Sequence, residues 1–190
     1  MLATNGWDHN ERQAAAKQFG FDLVEFESRH EFLAAALDTA QLTLDQYLDR
    51  TLFYRERPFT RQSFREFMLA QSKPYPDTLQ LMERASSSGK YLLATLNNES
   101  LELNAYRIQS FGLRGIFKLF MSSCYLGVRK PDDAIYQLAL RLTQQEPAHC
   151  VFIDDRALNL ECAGREGMKT IQFRNASQLE QDLRALGVEI

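Results

Sequence analysis

Apolar residues recur at spacings of three and four along the first part of the chain, and short apolar runs separated by helical stretches follow. From about Glu11 to Gln71 the spacing predicts helices and no convincing strand, as Phe32, Ala35 and Ala36 illustrate. Thr43 marks a predicted helix start, because its hydroxyl can accept a hydrogen bond from a free amide in the first turn. The first segment is therefore predicted to be mainly helical.

The pattern changes at residues 73–76, where two prolines break the helical run. Each proline lacks an amide hydrogen and disfavours helix in the residue before it. The predicted strands beyond this point are residues 91–95, 118–122, 150–154 and 170–173, and the predicted helices are residues 77–88, 100–111, 132–142, 158–166 and 176–186. This alternation predicts an α/β core, a Rossmann-like parallel sheet with helices on both faces, preceded by a small helical cap.

Composition narrows the classes of function. A length of 190 residues suits one core with a smaller insertion. With a net charge of −3 and no run of lysine or arginine, we expect no nucleic-acid partner. Because no long apolar stretch occurs, we expect no membrane contact and a cytoplasmic location.

The three cysteines lack C-x-x-C spacing, so we interpret them as small buried hydrophobes. Oligomeric state is left open.

Two adjacent carboxylates, Asp154 and Asp155, follow the apolar run Val151–Ile153. In an open parallel sheet, ligands gather beyond the carboxyl ends of the strands. Adjacent acids at such a place require compensation by a cation or by amides, and magnesium prefers hard oxygen ligands. The alternative is that the pair caps the next helix, where free amides favour an aspartate.

Lys130, Thr95 and the neighbouring asparagines are candidates for binding a phosphoryl group. A lysine at the mouth of a crevice neutralises phosphate as a compact charge, whereas a solvated surface lysine is the alternative. The Thr95 hydroxyl can donate to a phosphate oxygen, as can Asn97 and Asn98 in the same turn; an asparagine-rich turn of purely conformational origin is the alternative. Because strand ends converge in such a sheet, we expect Thr95, Lys130 and Asp154 in one crevice.

These motifs resemble those of the haloacid dehalogenase (HAD) superfamily, a group of mostly magnesium-dependent phosphohydrolases. The resemblance rests on Thr95, on the run Gly127–Tyr136 around Lys130, and on Val151–Asn159, and it covers the chain from about Pro74 onward. It is closest to the subgroup of small-molecule phosphatases and the phosphatase domain of soluble epoxide hydrolase. By this resemblance, residues 1–9 are the remnant of a loop that follows the nucleophile, residues 10–73 the cap and residues 74–190 the core.

The resemblance also implies roles for the candidate residues. Asp154 is the expected acidic magnesium ligand, with Asp155 and Asn159 orienting the metal shell. Thr95 and Asn97 are expected to bind the transferred phosphoryl group of a small phosphorylated substrate, and Lys130 to stabilise it. The family's reaction is attack by an aspartate on phosphorus, followed by hydrolysis of the aspartyl-phosphate.

The expected nucleophile has no counterpart in the chain. Residues Met1–Trp7 resemble the stretch just after the family's first, central strand, which carries that aspartate. We therefore expect Met1 to be an internal methionine of a longer product, with the first central strand absent from the chain as written, which we predict to be inactive. Two alternatives stay open: a non-catalytic HAD-like binding protein, and a haloacid-type dehalogenase that uses a similar aspartate attack.

Overall fold

The computed structural model describes all 190 residues, from Met1 to Ile190. The helices are α1 (His9–Phe19), α2 (Leu23–Asp38), α3 (Leu44–Thr51), α4 (Arg61–Ala70), α5 (Pro76–Ser87), α6 (Leu101–Ser110), α7 (Ser123–Leu126), α8 (Asp133–Thr143), α9 (Ala157–Arg165) and α10 (Ala176–Ala185). The strands are β1 (Ala94–Thr95), β2 (Leu119–Phe120), β3 (Val151–Asp154) and β4 (Lys169–Gln172). Short 3-10 helices cover Leu113–Gly115 and Pro147–His149.

The predicted α/β fold class is confirmed, including the order of strands and helices beyond the prolines. The sheet differs from the expectation of one continuous layer. β1 pairs in parallel with β2, and β3 pairs in parallel with β4, as two separate two-stranded sheets. β1 and β2 have two residues each and are shorter than predicted, whereas β3 and β4 have four residues each.

Local capping begins α3 at Thr43, where the sequence predicts it. The Thr43 hydroxyl accepts a hydrogen bond from the Gln46 amide, and the Gln46 side chain accepts one from the Thr43 amide, forming a capping box. Asp22 and Thr60 cap α2 and α4 through their side chains alone, which accept from the Glu25 and Ser63 amides. Each cap gives an otherwise free amide a hydrogen-bond partner and stabilises the helix by about 1 kcal/mol. Residues that are close in sequence therefore determine where these helices start.

The helical region builds its own aromatic core around Phe64, which has no exposed surface. Five aromatic rings have centroids 5.1–6.5 Å from the Phe64 ring: Trp7, Phe19, Phe21, Phe53 and Phe59. The cluster also contains one buried residue from the part of the chain that follows the prolines, Leu103 of α6. The packing within residues 7–68 therefore stabilises the helical region largely by itself.

Two further apolar clusters lie beyond the prolines. One brings together α5, α6 and α10 through Leu81, Ile108 and Leu179, and the other brings together α8, α9 and β3. Cys162 is buried in the latter cluster and Cys124 is buried elsewhere, as predicted, but Cys150 is only half-buried, so the prediction of a buried residue is wrong for Cys150. No helix combines the length and apolar character needed to cross a bilayer.

A histidine is held neutral at the edge of the aromatic core. His30 Nδ1 lies 2.8 Å from the hydroxyl of the buried Tyr47, which also accepts a hydrogen bond from Trp7 Nε1 at 3.2 Å. Burial lowers the pKa of His30 to about 4, Arg12 contributes in the same direction, and Glu27 opposes it. The neutral ring therefore accepts the Tyr47 hydroxyl hydrogen.

This environment predicts an acid-sensitive contribution to stability. Between pH 6.5 and about 4 the unfolded chain protonates His30 and the folded chain does not, so the free energy of unfolding falls as pH falls through this window. Urea titrations of the wild type and of His30→Gln at several pH values across this window should show that the free energy of unfolding falls more steeply with pH in the wild type. The difference in slope corresponds to the uptake of up to about one additional proton on unfolding. Parallel profiles would contradict the neutral, buried histidine.

The first residues pair with the segment that returns from the helical region. The Thr4 amide donates to the Lys73 carbonyl oxygen and the Tyr75 amide donates to the Leu2 carbonyl oxygen, both at 2.9 Å. Ala3 stands opposite Pro74 in an isolated antiparallel bridge. The N-terminal segment is thus engaged here and forms no ladder with β1 or β3.

Arg107 fastens this segment to the core, and Gly6 makes room for it. The Arg107 guanidinium donates to the Asn5 carbonyl oxygen at 2.7 Å and to the Ser72 hydroxyl at 3.1 Å, and it pairs with Glu99 at 3.1 Å. Gly6 has a φ of +79°, and a Cβ there would lie 2.1 Å from Arg107 Nη2. A side chain at position 6 therefore disturbs both the backbone and the arginine.

Gly6→Ala is expected to lower the free energy of unfolding by about 1–3 kcal/mol from backbone strain alone, with a further loss from displacing Arg107. Gly112→Ala is the matched control, because Gly112 also has a positive φ, of +62°, but has nothing within 4 Å of a Cβ. Urea denaturation should show a clearly larger loss for Gly6→Ala. Equal losses would mean that the Arg107 contacts contribute nothing measurable.

Candidate functional site

A cavity of about 720 Å³ lies beside β1 and β3. Its wall includes the consecutive residues 92–98 and 151–156, together with residues 1–5 at the start of the chain. All six predicted site residues line it: Thr95, Asn97, Lys130, Asp154, Asp155 and Asn159. The convergence of strand ends places them together, as the sequence predicts.

A buried ion pair joins two of the motifs. Lys130 Nζ lies 2.5 Å from Asp154 Oδ2, and the two residues are only 6% and 1% exposed. Asn98, in the turn after β1, holds the backbone of Lys130, since its side chain donates to the Lys130 carbonyl and accepts from the Lys130 amide, both at 2.8 Å. The turn after β1 thus holds the backbone of Lys130, and Asp154 at the end of β3 pairs with its amine.

Asp154 is fixed by three donors. Besides Lys130, the Arg156 amide donates to Asp154 Oδ1 at 2.9 Å and Asn159 Nδ2 donates to it at 3.0 Å. Burial would raise the pKa of Asp154, but the charge of Lys130 and these hydrogen bonds lower the pKa overall, so the carboxylate is ionised. Oδ2 carries one of these bonds and retains a further acceptor position.

The donor chemistry beside Asp154 fits a hard cation. Asp155 follows it directly and is exposed at the cavity, and magnesium needs only one or two carboxylates because it keeps several waters. The amine of Met1 lies in the field of both acids: burial lowers its pKa, while Asp155 and Asp154 oppose that shift. No group of three or more histidine, cysteine or acidic side chains is placed to hold a metal.

The alternative role of the acid pair as a helix cap receives little support. The N-cap of α9 is Arg156, and no side chain forms its cap hydrogen bond. Asp154 accepts from the Arg156 amide but stands at the end of β3, where Lys130 also pairs with it. The capping contact is therefore one of several that orient the carboxylate.

Thr95 and Asn97 differ in what they offer a ligand. Thr95 Oγ1 is buried at the cavity and has no hydrogen-bond partner, a cost of about 1–3 kcal/mol that a ligand oxygen would relieve. Asn97 is engaged at both ends of its amide: it donates to Asn104 at 3.2 Å and accepts from the Ser122 hydroxyl at 2.8 Å. Asn97 therefore helps to hold the wall, and Thr95 is the freer donor.

Charged residues that the sequence did not single out join the helical region to the site. Arg129, directly before Lys130, lies 3.3 Å from Asp38 Oδ2 at the end of α2, and the Ser123 hydroxyl donates to the Asp38 carbonyl at 2.6 Å. Burial raises the pKa of Asp38, and the charges of Arg129 and Arg156 oppose this. The position of Arg129 in the lysine motif is the one local signal that could have indicated it.

Glu99 forms part of the same wall. Burial raises its pKa to about 7, although the Arg107 guanidinium at 3.1 Å favours the charged form. The Glu99 amide donates to the Ser123 hydroxyl at 3.0 Å, which links the turn after β1 to α7. These contacts make the wall of the cavity a connected polar network.

Comparison with known proteins gives a consistent family. The sequence-family model of the haloacid dehalogenase-like hydrolases matches residues 6–165 of the chain. The chloroplastic flavin mononucleotide hydrolase 1 of Arabidopsis thaliana is 29% identical over 155 residues, which are 77% of this chain and 59% of that protein. Bifunctional epoxide hydrolase 2 of Sus scrofa is 35% identical over 79 residues, 41% of this chain and 14% of that protein. The chain thus spans less than two thirds of either relative.

Solved structures agree on the fold. A HAD family enzyme of Bacteroides thetaiotaomicron, in complex with magnesium and inorganic phosphate, superposes with a TM-score of 0.78 at 16% identity, covering 94% of this chain and 93% of that one. A dehalogenase superposes with a TM-score of 0.67 at 19% identity, covering 96% and 92%. At these identities the likeness establishes the Rossmann-like fold alone.

Proposed function

The chain belongs to the haloacid dehalogenase-like hydrolases, and we propose that its cavity is the phosphate-binding and magnesium-binding part of a phosphatase site. One observation carries the proposal. A buried lysine is paired with a buried carboxylate at 2.5 Å, and an unpartnered buried hydroxyl lines the same cavity. This combination of cation, carboxylate and free donor suits a phosphoryl group bound beside a metal ion.

Each residue has a distinct role in this proposal. Asp154 and Asp155 would hold magnesium, which neutralises charge on the phosphoryl oxygens when it is bound. Lys130 donates to those oxygens as a compact charge, and Thr95 donates through its unpartnered hydroxyl. Asn159 keeps the Asp154 carboxylate in place through its amide nitrogen.

We propose residues 10–73 as the cap that faces the substrate, a small phosphate ester. Trp7, just before this segment, and His30, Leu37 and Asp38 within it line the same cavity as the strand ends. The adjacent carboxylates and the unpartnered Thr95 hydroxyl favour phosphate chemistry over carbon–halogen hydrolysis, because both features suit an oxyanion bound with a cation.

The expected nucleophile is the missing part of this site. Asp154 is the carboxylate that pairs with Lys130, and three donors already hold it. We therefore expect no magnesium-dependent hydrolysis of p-nitrophenyl phosphate by the 190-residue chain. A colorimetric assay with and without magnesium tests this expectation. Robust turnover that Asp154→Ala abolishes would show that the chain contains its own nucleophile.

A further inference from the structure

We propose that His30 is a specificity-determining residue, whose Nε2–H group donates to a neutral acceptor on the leaving group of the substrate. The acceptor would be a carbonyl oxygen or an unprotonated ring nitrogen at the far end of an extended, largely apolar phosphate ester. This inference rests on the proposed function, because it concerns the part of the ester that occupies the same cavity beside the phosphoryl group.

One face of α2 lines the cavity. The residues of this helix that reach the cavity are His30, Ala34, Leu37 and Asp38. These positions correspond to i, i+4, i+7 and i+8, which lie on one face of an α-helix. The half-buried His30 side chain therefore lies on the cavity side of α2, in line with the apolar side chains of Ala34 and Leu37.

Two buried aromatic residues fix the orientation of the His30 ring. Phe26, one turn earlier on α2, stacks with it at a centroid distance of 6.4 Å and an interplanar angle of 6°. Tyr47 of α3 meets it edge to face at 5.8 Å, and the Tyr47 hydroxyl lies 2.8 Å from Nδ1. The face of the ring and its Nδ1 edge are thus both engaged by the protein.

A chain of hydrogen bonds orders the groups around Nδ1. Trp7 Nε1 donates to the Tyr47 oxygen at 3.2 Å. An indole nitrogen is only a donor, so the hydrogen of the Tyr47 hydroxyl stays available to His30 Nδ1. Nδ1 therefore acts as the acceptor of this chain.

The ring has one hydrogen at neutral pH, and it is on Nε2. Burial lowers the pKa of His30 to about 4, the charges of Arg12 and Arg129 act in the same direction, and Glu27 opposes them. A neutral imidazole has one donor and one acceptor nitrogen, and Nδ1 is the acceptor here. Nε2 makes no hydrogen bond within the protein and is not sealed from solvent, so it can donate to a molecule in the cavity.

The position of His30 along α2 sets the reach of the substrate. The carboxyl end of α2 contacts the lysine motif, since Asp38 Oδ2 lies 3.3 Å from Arg129, directly before Lys130. The Ser123 hydroxyl holds the same end through the Asp38 carbonyl at 2.6 Å. His30 precedes Asp38 by eight residues, which is about 12 Å along the helix axis. The acceptor therefore belongs at the far end of the leaving group.

The surroundings of His30 define the rest of the leaving group. Trp7, Ala34 and Leu37 line the cavity with it, so the body of the leaving group should be apolar. A volume of about 720 Å³ has room for such a body beside the phosphoryl group. Because the ring is neutral, it favours an uncharged acceptor over a second anionic group.

Calorimetric titration with two esters of the same shape tests the inference. The first is a biphenyl phosphate with a para acetyl group on the outer ring, and the second has an isopropenyl group in its place, which lacks the acceptor. With magnesium present, we expect the wild type to bind the acetyl ester roughly tenfold more tightly, as one neutral hydrogen bond allows. Equal affinities would overturn the inference.

Variants of α2 assign this preference to one side chain. His30→Phe keeps a ring but removes the donor, so the preference for the acetyl ester should fall to about onefold. Glu31→Gln is the matched control, because Glu31 is exposed on the same helix and does not line the cavity, and it should retain the preference. Circular dichroism confirms that each variant is folded. A preference that persists in His30→Phe would overturn the inference.

Nitrogen NMR of the His30 ring tests the tautomer in the unaltered chain. The His30 signals are identified by their loss in His30→Gln. We expect a protonated Nε2 and an unprotonated Nδ1 at neutral pH, with a shift of the Nε2 signal on adding the acetyl ester. Tyr47→Phe removes the hydroxyl beside Nδ1 and should populate both tautomers. A hydrogen on Nδ1 in the wild type, or an unchanged tautomer in Tyr47→Phe, would overturn the hydrogen-bond chain.

The inference and the proposed function fail in different ways. Magnesium-dependent binding of both esters with equal affinity would overturn the role of His30 and leave the phosphate site standing. Absence of binding by inorganic phosphate and by both esters would contradict the phosphate site and, with it, the role of His30 in recognising an ester.

Discussion

Lys130→Met is expected to lower the free energy of unfolding by about 3–5 kcal/mol, because it leaves a buried carboxylate without its cation. Asp154 is 1% exposed, and its remaining donors are one backbone amide and one side-chain amide. Methionine has a similar length and keeps the apolar stem of the lysine, so loss of charge dominates the effect. Urea denaturation at neutral pH measures it.

The double variant Lys130→Met/Asp154→Asn should recover most of that loss, because it removes both charges together. Arg165→Met is the surface control: the Arg165–Asp133 pair spans 3.1 Å, but both side chains are about half exposed, so its loss should be below about 1 kcal/mol. A similar small loss for Lys130→Met, or no recovery in the double variant, would contradict the buried pair.

Phe64→Ala is expected to cost about 3–5 kcal/mol, because it opens a cavity inside the aromatic core of the helical region. Phe64 has no exposed surface, and five aromatic rings surround it. Phe32→Ala is the matched control, since Phe32 is 85% exposed and its loss should stay within about 0.5 kcal/mol. Thermal or urea unfolding followed by circular dichroism compares the two variants.

A small effect of Phe64→Ala would mean that the helical region does not depend on this core. A large effect with an unchanged Phe32→Ala would support residues 10–73 as a unit with its own packing. The result bears on the proposed cap, because Trp7 packs against Phe64 and also lines the cavity.

The convergence of Thr95, Lys130 and Asp154 was predictable from sequence because it follows from topology. Thr95 and Asp154 are the last residues of β1 and β3, Lys130 lies in the loop segment beyond β2, and the carboxyl ends of such parallel strands meet. The helix start at Thr43 was predictable for a simpler reason, since the capping box involves residues only three apart. Local or topological rules suffice for these features.

Other parts of the site depend on contacts between distant segments. Arg107 reaches the carbonyl of Asn5, 102 residues away in the chain, and no nearby residue marks either partner. Asn97 was expected to donate to phosphate, but its amide bonds to Asn104 and Ser122. Which of several polar residues in a turn remains free is decided by tertiary packing, so the pattern of residue types could not show it.

The separation into two sheets follows the same logic. The strand runs were recognisable from apolar residues, yet which strands pair with each other depends on contacts between distant segments. The second edges of β1 and β3 have no strand partner, and residues of both strands line the cavity.

Calorimetric titration of inorganic phosphate tests most directly whether the cavity is a phosphate and magnesium site. With magnesium present, we predict phosphate binding by the wild type that is lost in Asp154→Asn and retained in Asp182→Asn, an exposed position on α10 outside the cavity. Circular dichroism at the assay temperature confirms that each variant is folded. Phosphate binding that is independent of magnesium, or unchanged in Asp154→Asn, would contradict the proposed site.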